Sequence, residues 1–227
     1  MLVSVIMPCL NEEGAIGRVI DQIPVKDLRE KGFDVEILVV DGGSTDKSVE
    51  IAGQKGAGLL FSERGYGKQY RMGFNHAKGD IIVAADSDGS YPLADAGYYI
   101  EALEKQGLDF ISINRFGTMF PRSMPAVNAV GNHLLTWTMN VLFVLDLKDS
   151  QSGMWIFRRH VLDDAQLSSN GMPLSQEIKL HSFSRYRSRE MDGGYEKRIG
   201  RPKLRRFRDG MDNVMFLLKK YMEERWR

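Results

Sequence analysis

Five short apolar runs, each ending in polar residues and separated by helical patterns, limit this chain more than any other feature. VSVIMP (3–8), EILVV (36–40), GLLF (58–61), DIIVAAD (80–86) and LDFISINR (108–115) are nearly continuous in apolar character. Strands buried on both faces read this way, whereas half-exposed strands alternate. Between them, 12–23 suits a helix with Asn11 as its cap, and DKSVEIAGQKG, GKQYRMGFNHAKG and ADAGYYIEALEKQG carry helical patterns that close at a glycine. Strands alternating with helices predict an α/β domain on a mostly parallel sheet flanked by helices.

Sheets of that kind bind ligands beyond the carboxyl ends of their strands. Here those ends read PCLNEE, DGGSTD, SERGYG and DSDGS. A polar or acidic group recurs at each one, which isolated turns do not require. In VAADSDGSYP (83–92), Asp86 and Asp88 stand two residues apart in a tight turn, where both carboxylates can converge on one point. Such a pair either closes a strand or holds a hard divalent cation, which takes oxygen ligands and bridges to phosphate. Asp41, just past ILVV, is placed to accept hydrogen bonds from a base or a ribose. No G-x-G-x-x-G fingerprint follows the first run, and RGYGK lacks the spacing of a phosphate loop, so Lys68 is at most a lone phosphate contact.

Charge is distributed unevenly. The stretch 179–227 holds 15 Lys and Arg against 7 Asp and Glu, and the remainder holds 16 against 23. A basic end on an acidic body calls for an anionic partner. Nucleic acid is a poor candidate, because the acids cluster where it would sit. The single cysteine, Cys9, excludes an intrachain disulfide framework and suits a reducing compartment. The start, MLVSVIMPCLNEE, lacks a basic n-region and reads as a strand, not a signal peptide. The longest apolar stretch, LLTWTMNVLFVLDL (134–147), is too short to span a bilayer, which takes about 20 residues, and is broken by Asn140.

Four segments in this order, VSVIMPCLNEE, ILVVDGGSTDKS, GKQYRMGFNHAKGDIIVAADSDGSYP and DSQSGMWIFRR, resemble the family 2 glycosyltransferases of the GT-A fold. Within that family they look like the polyprenyl-phosphate (dolichyl-phosphate) hexosyltransferase branch, over 2–203. The resemblance implies a Rossmann-like GT-A sheet with C-terminal amphipathic interface helices. It also implies inverting transfer of a hexose, glucose or mannose, from a UDP or GDP sugar to a polyprenyl or dolichyl phosphate, with Mg²⁺ or Mn²⁺ as cofactor.

By position, the resemblance places Pro8, Leu10, Asn11 and Glu12 in the first nucleotide loop and Asp41 as the acid that binds the base. Asp86 and Ser87 fall beside the nucleotide sugar. Asp86 and Asp88 fall on the metal motif, and Ser90 stands where some relatives carry a third, amide-bearing ligand. DGG replaces the commoner DDG, a departure that bears on base recognition. A lipid phosphate is already anionic and needs cations rather than a general base, whereas a hydroxyl acceptor needs a carboxylate base. Arg115, Arg122, Arg198 and Lys203 are the candidate phosphate clamp. RIGRPKL resembles the family's G-x-S-K segment, with Pro202 in place of Ser. Asp149, Gln151 and Glu177 are candidates for the sugar and acceptor pocket, and Asp86, Asp88 and Arg115 for catalysis.

The expected organisation is a catalytic domain over 1–203, including an interface helix at about 119–147, followed by a basic amphipathic helix over 204–227 at a membrane surface. A peripheral place on the cytoplasmic face of a membrane follows from that reading. Two alternatives stand beside it: the same fold acting on a saccharide or protein hydroxyl, and a nucleotide- or membrane-binding module without catalysis.

Overall fold

The computed structural model of the chain describes residues 1–117, 124–200 and 206–225. Seven strands form one mixed sheet: β1 (Leu2–Cys9), β2 (Asp34–Asp41), β3 (Gly58–Phe61), β4 (Ile81–Ala84), β5 (Phe110–Asn114), β6 (Trp155–Arg158) and β7 (Ser188–Asp192). Their order is β3-β2-β1-β4-β6-β5-β7. The first four are parallel to one another, and β5 is parallel to β7, while β6 runs antiparallel to both β4 and β5. The mostly parallel sheet expected from the sequence is therefore correct, with β6 the one reversed strand among the described residues. The antiparallel β6 and the edge strand β7 go beyond it.

Helices cover both faces. α1 (Ile16–Gln22), α2 (Val25–Glu30), α3 (Ser48–Gln54) and α5 (Ala96–Lys105) belong to one side, and α4 (Tyr66–His76) and α7 (Leu174–Arg185) to the other. The continuous apolar character of β1 follows directly. Val3, Val5 and Met7 enter one core with Ile16, Val19 and Ile100, while Ile6 enters the other with Tyr70, Phe74 and Trp155. Each such side chain contributes about 1.5–3 kcal/mol by leaving water.

α6 (Ala126–Phe143) and α8 (Arg206–Arg225) pack together around Met139, Leu147 and Leu217. Asn140, which interrupts the apolar stretch in the sequence, closes the turn after α6. Its amide donates to Leu147 O at 2.8 Å and its carbonyl accepts Leu147 N–H at 3.0 Å. Among the described residues, no helix is long and apolar enough to cross a membrane.

One helix start differs from expectation. α1 begins at Ile16 rather than Glu12, and Asn11 is not its cap. Asn11 adopts a left-handed backbone, φ 52°, and its side-chain carbonyl accepts Thr45 N–H at 2.7 Å. Asn tolerates that conformation because its short polar side chain bonds locally. The tie across to Thr45 joins the loop after β1 to the loop after β2, and so shapes the rim of the sheet.

Candidate active site

The chain leaves β1 toward β2 and β3 on one side and returns to β4 on the other, so the strand order reverses between β1 and β4. A cleft of about 550 Å³ opens beyond the carboxyl ends there. Of the residues singled out from sequence, Pro8, Leu10, Glu12, Asp86, Ser87, Asp88, Arg115, Gln151 and Arg198 line it. Ser87 is fixed by donating its hydroxyl to Pro8 O at 2.6 Å, which ties the end of β4 to the end of β1.

The acids share a counter-charge. Arg198 reaches Glu12 Oε1 at 2.5 Å and Asp88 Oδ2 at 3.3 Å. Asp86 is pushed up to about 7, first by burial and then by the neighbouring Asp88, against the lowering influence of Arg198 and of a hydrogen bond from Tyr66. Gly153 is required at its position by close approach. A Cβ there would lie 2.6 Å from Tyr66 Oη and 3.1 Å from Asp86 Oδ2.

Arg115 leaves the end of β5 and is gripped by Asp149, which is fully buried. Nε donates to Oδ2 at 2.7 Å and Nη2 to Oδ1 at 2.8 Å, a forked geometry that fixes the guanidinium. Burial alone would raise the Asp149 carboxyl, but the charge and hydrogen bonds of Arg115 outweigh it and hold it below the ordinary range. Behind the pair, the buried Lys179 donates to Asp149 O at 2.5 Å, and Glu190 accepts Asp149 N–H at 3.0 Å. Desolvation lowers Lys179 to about 8. Arg115 also lies 5.2 Å from the centre of the Tyr195 ring.

Other expected residues sit elsewhere. Lys68 pairs with Glu63 and faces a separate hollow across α4, so it is not a phosphate contact of this cleft. Glu177 is not a pocket carboxylate. Its two oxygens accept Ser168 N–H at 3.0 Å and Ser169 N–H at 2.9 Å, fastening that loop. Asp149 acts behind Arg115 rather than in the cleft wall. Asp41 uses Oδ2 to accept Gly43 N–H and Ser44 N–H, both at 2.9 Å, and its buried Oδ1 has no partner among the described residues. Ser90 is buried, its N–H donates to Asp88 Oδ1 at 2.9 Å, and its hydroxyl likewise has no partner among the described residues. Arg122 and Lys203 lie outside the described residues. The cleft also takes Tyr66, Gln69, Tyr91, Tyr195 and, from α8, Asp209 and Asp212, none of which the sequence patterns indicate.

Two carboxylates on one turn fit a hard cation that completes its shell with water and substrate phosphate. Among the described residues, no group of three or more His, Cys, Asp or Glu side chains forms a full metal cage. Asp86 and Asp88 are the side chains on this turn that could serve as its donors, and the crowding that raises Asp86 is the kind a cation relieves.

A family model described as glycosyl transferase family 2 matches residues 4–165. The chain belongs to glycosyltransferase family 2. This family 2 chain is 30% identical to the dolichyl-phosphate hexose transferase of Haloferax volcanii over 227 residues, covering 99% of this chain and 96% of that one. It is 33% identical to the low-salt glycan biosynthesis hexosyltransferase Agl6 of the same organism over 221 residues, 95% of this chain. It spans about half of Agl6, 52%, and 59% of the related glycosyltransferase AglJ. Among solved structures, glucosyl-3-phosphoglycerate synthase from Mycobacterium tuberculosis, in complex with Mn²⁺, UDP-glucose and glycerol 3-phosphate, superposes with a TM-score of 0.77 at 22% identity. That match covers 96% of this family 2 chain and 79% of the synthase, and it establishes the GT-A-like fold.

Proposed function

We propose that the chain transfers a hexose from a nucleoside-diphosphate sugar, UDP- or GDP-linked, to a polyprenyl or dolichyl phosphate, with inversion. The observation that carries this reading is the division of the cleft. Acids stand at the ends of β1 and β4, and the Asp149-anchored Arg115 stands two strands beyond β4, at the end of β5. The alignment along nearly the whole of the dolichyl-phosphate hexose transferase supports the acceptor class.

Asp86 and Asp88 would hold Mg²⁺ or Mn²⁺, which supplies Lewis-acid neutralisation of the departing diphosphate. Pro8, Leu10, Glu12 and Asp41 would bound the nucleotide. Arg115, immobilised by its fork, would orient the acceptor phosphate, with Arg198, Arg122 and Lys203 as further cations. A phosphate oxygen then forms the new bond to the anomeric carbon as the bond to the diphosphate breaks. No proton need be removed from the nucleophile.

The membrane surface enters through α6. Val127, Val130, Leu134, Trp137 and Val141 form an exposed apolar stripe at helical spacing, and Met211, Met215, Leu218 and Met222 form another on α8. Faces of this kind lie in a bilayer interface. A peripheral position on the cytoplasmic face belongs to this reading.

A second reading, a hydroxyl acceptor, has one observation in its favour: α8 brings Asp209 and Asp212 to the cleft, where either carboxylate could act as a base. Incubation with UDP- or GDP-hexose, Mn²⁺ and polyprenyl phosphate should give an organic-extractable, acid-labile glycolipid, and Asp212→Asn should leave it intact. Transfer only to free saccharide or protein, abolished by Asp212→Asn, would establish the second reading instead.

A further inference from the structure

We infer that Gln69 is a specificity-determining residue for the donor's nucleobase, selecting bases that carry a ring N–H on the pairing edge. The inference rests on the nucleotide-sugar reading of the cleft. It starts from the glycine in DGG. A Cβ at Gly42 would lie 2.9 Å from both Cδ and Nε2 of Gln69 and 3.1 Å from its Oε1. The Gln69 amide therefore fills the space in which a side chain at position 42 would begin. A residue 27 positions later in the sequence occupies that ground.

The orientation of that amide is fixed by chemistry. Nε2 donates to Cys9 O and to Val40 O, each at 2.8 Å. Both partners are carbonyls and can only accept, so the nitrogen must face them. They belong to the ends of β1 and β2, neighbours in the sheet. With both amide hydrogens committed, the group that Gln69 can still offer to a ligand is the acceptor Oε1. Gln69 is 5% exposed, and it lines the cleft beside Pro8, Cys9 and Leu10. Close by, at the end of β2, Asp41 carries its buried Oδ1, which has no partner among the described residues.

Two consequences follow. A neutral acceptor in place of a carboxylate avoids a further negative charge in a cleft that already holds Glu12, Asp86 and Asp88 and must admit a diphosphate. An acceptor whose donors are locked away also discriminates. Uracil N3–H or guanine N1–H can donate to it, whereas cytosine N3 and adenine N1 present a lone pair and leave two acceptors opposed. A site built on a buried hydrogen-bonding group rejects the wrong partner because that group is then left unpaired.

The test is calorimetric titration with UDP, CDP, GDP and ADP in the presence of Mn²⁺, and with pyrophosphate as a base-free probe. The wild type should prefer UDP over CDP, or GDP over ADP, by about tenfold or more. Gln69→Ala should lose that ratio while pyrophosphate binding holds. Gly42→Ala, which leaves Gln69 chemically intact but displaces it, should lose the ratio in the same way, so the inference does not depend on one variant folding. An unchanged ratio in a folded Gln69→Ala protein would overturn the inference and reduce Gln69 to a brace between strands, with the donor reading intact. A wild type that binds pyrophosphate and no nucleoside diphosphate would overturn the donor reading and this inference together.

Discussion

Arg115 and Asp149 form a forked ion pair, Nε to Oδ2 at 2.7 Å and Nη2 to Oδ1 at 2.8 Å, with side chains only 7% and 0% exposed. Breaking a pair so deeply buried leaves an uncompensated charge in the interior. Asp149→Asn is expected to cost about 3–5 kcal/mol in chemical denaturation. It should also raise KM for the acceptor more than for the donor, because Arg115 loses its anchor. The pH dependence has a definite sign. Asp149 titrates lower when folded than when unfolded, so the unfolded chain takes up its proton first as pH falls. The pair's stabilisation should be complete above about pH 4 and decline below it. A double-mutant cycle with Arg115→Met, repeated at each pH, measures it.

The raised Asp86 carboxyl carries the opposite sign. Burial and Asp88 lift it to about 7, so the cation-free folded state is penalised increasingly as pH rises from the unfolded value toward neutrality, and fully above 7. Asp86→Asn should therefore stabilise the cation-free protein at pH 8, by on the order of 1 kcal/mol. The same variant should lose the increase in Tm that Mn²⁺ with nucleotide gives the wild type, and should lose transfer activity. Thermal melts with and without Mn²⁺ read both effects.

Gly153→Ala tests the close approach behind the carboxylate pair. Its Cβ would stand 2.6 Å from Tyr66 Oη, inside van der Waals contact, so Tyr66 and Asp86 must shift. Overpacking of this kind costs about 1–3 kcal/mol. Turnover should fall by an order of magnitude or more, as measured misplacements in active sites do, while the circular dichroism spectrum stays unchanged.

The apolar stripe on α6 predicts a separable defect. Leu134 and Trp137 are 60% and 62% exposed, so glutamate at both should change stability by no more than about 0.5 kcal/mol each. Co-sedimentation with anionic lipid vesicles should nonetheless drop severalfold, and nucleotide binding should not change. Equal vesicle binding by the double variant and the wild type would remove α6 from the membrane contact.

The parallel half of the sheet was legible because β1, β2 and β4 are buried on both faces, and burial leaves an apolar run in the sequence whatever its neighbours do. β7, SREMD, carries no such run. It is a strand because β5 offers it a parallel edge, from Phe110↔Ser188 to Asn114↔Asp192. β6 was missed for a related reason: its run, WIFR, is four residues long and acquires its direction only by inserting between β4 and β5. The candidate site divides along the same line. Pro8, Glu12, Asp86 and Asp88 could be read from sequence because a strand's end fixes where the next few residues go.

Lys68 and Gln69 mark the limit. The sequence allows the lysine at most a lone phosphate contact and says nothing of the glutamine. Adjacent residues on a helix point about 100° apart, and the packing of α4 against β1 and β2 turns Gln69 toward the cleft and Lys68 toward Glu63. The sequence by itself determined the first five strands, their polar and acidic ends and hence the place of the cleft, since these depend on local patterns of burial and turn formation. Which helix face looks into that place, and which arginine is held there by a buried acid, was decided only by tertiary packing, because a helix's rotation about its axis is set by the surface it lies on.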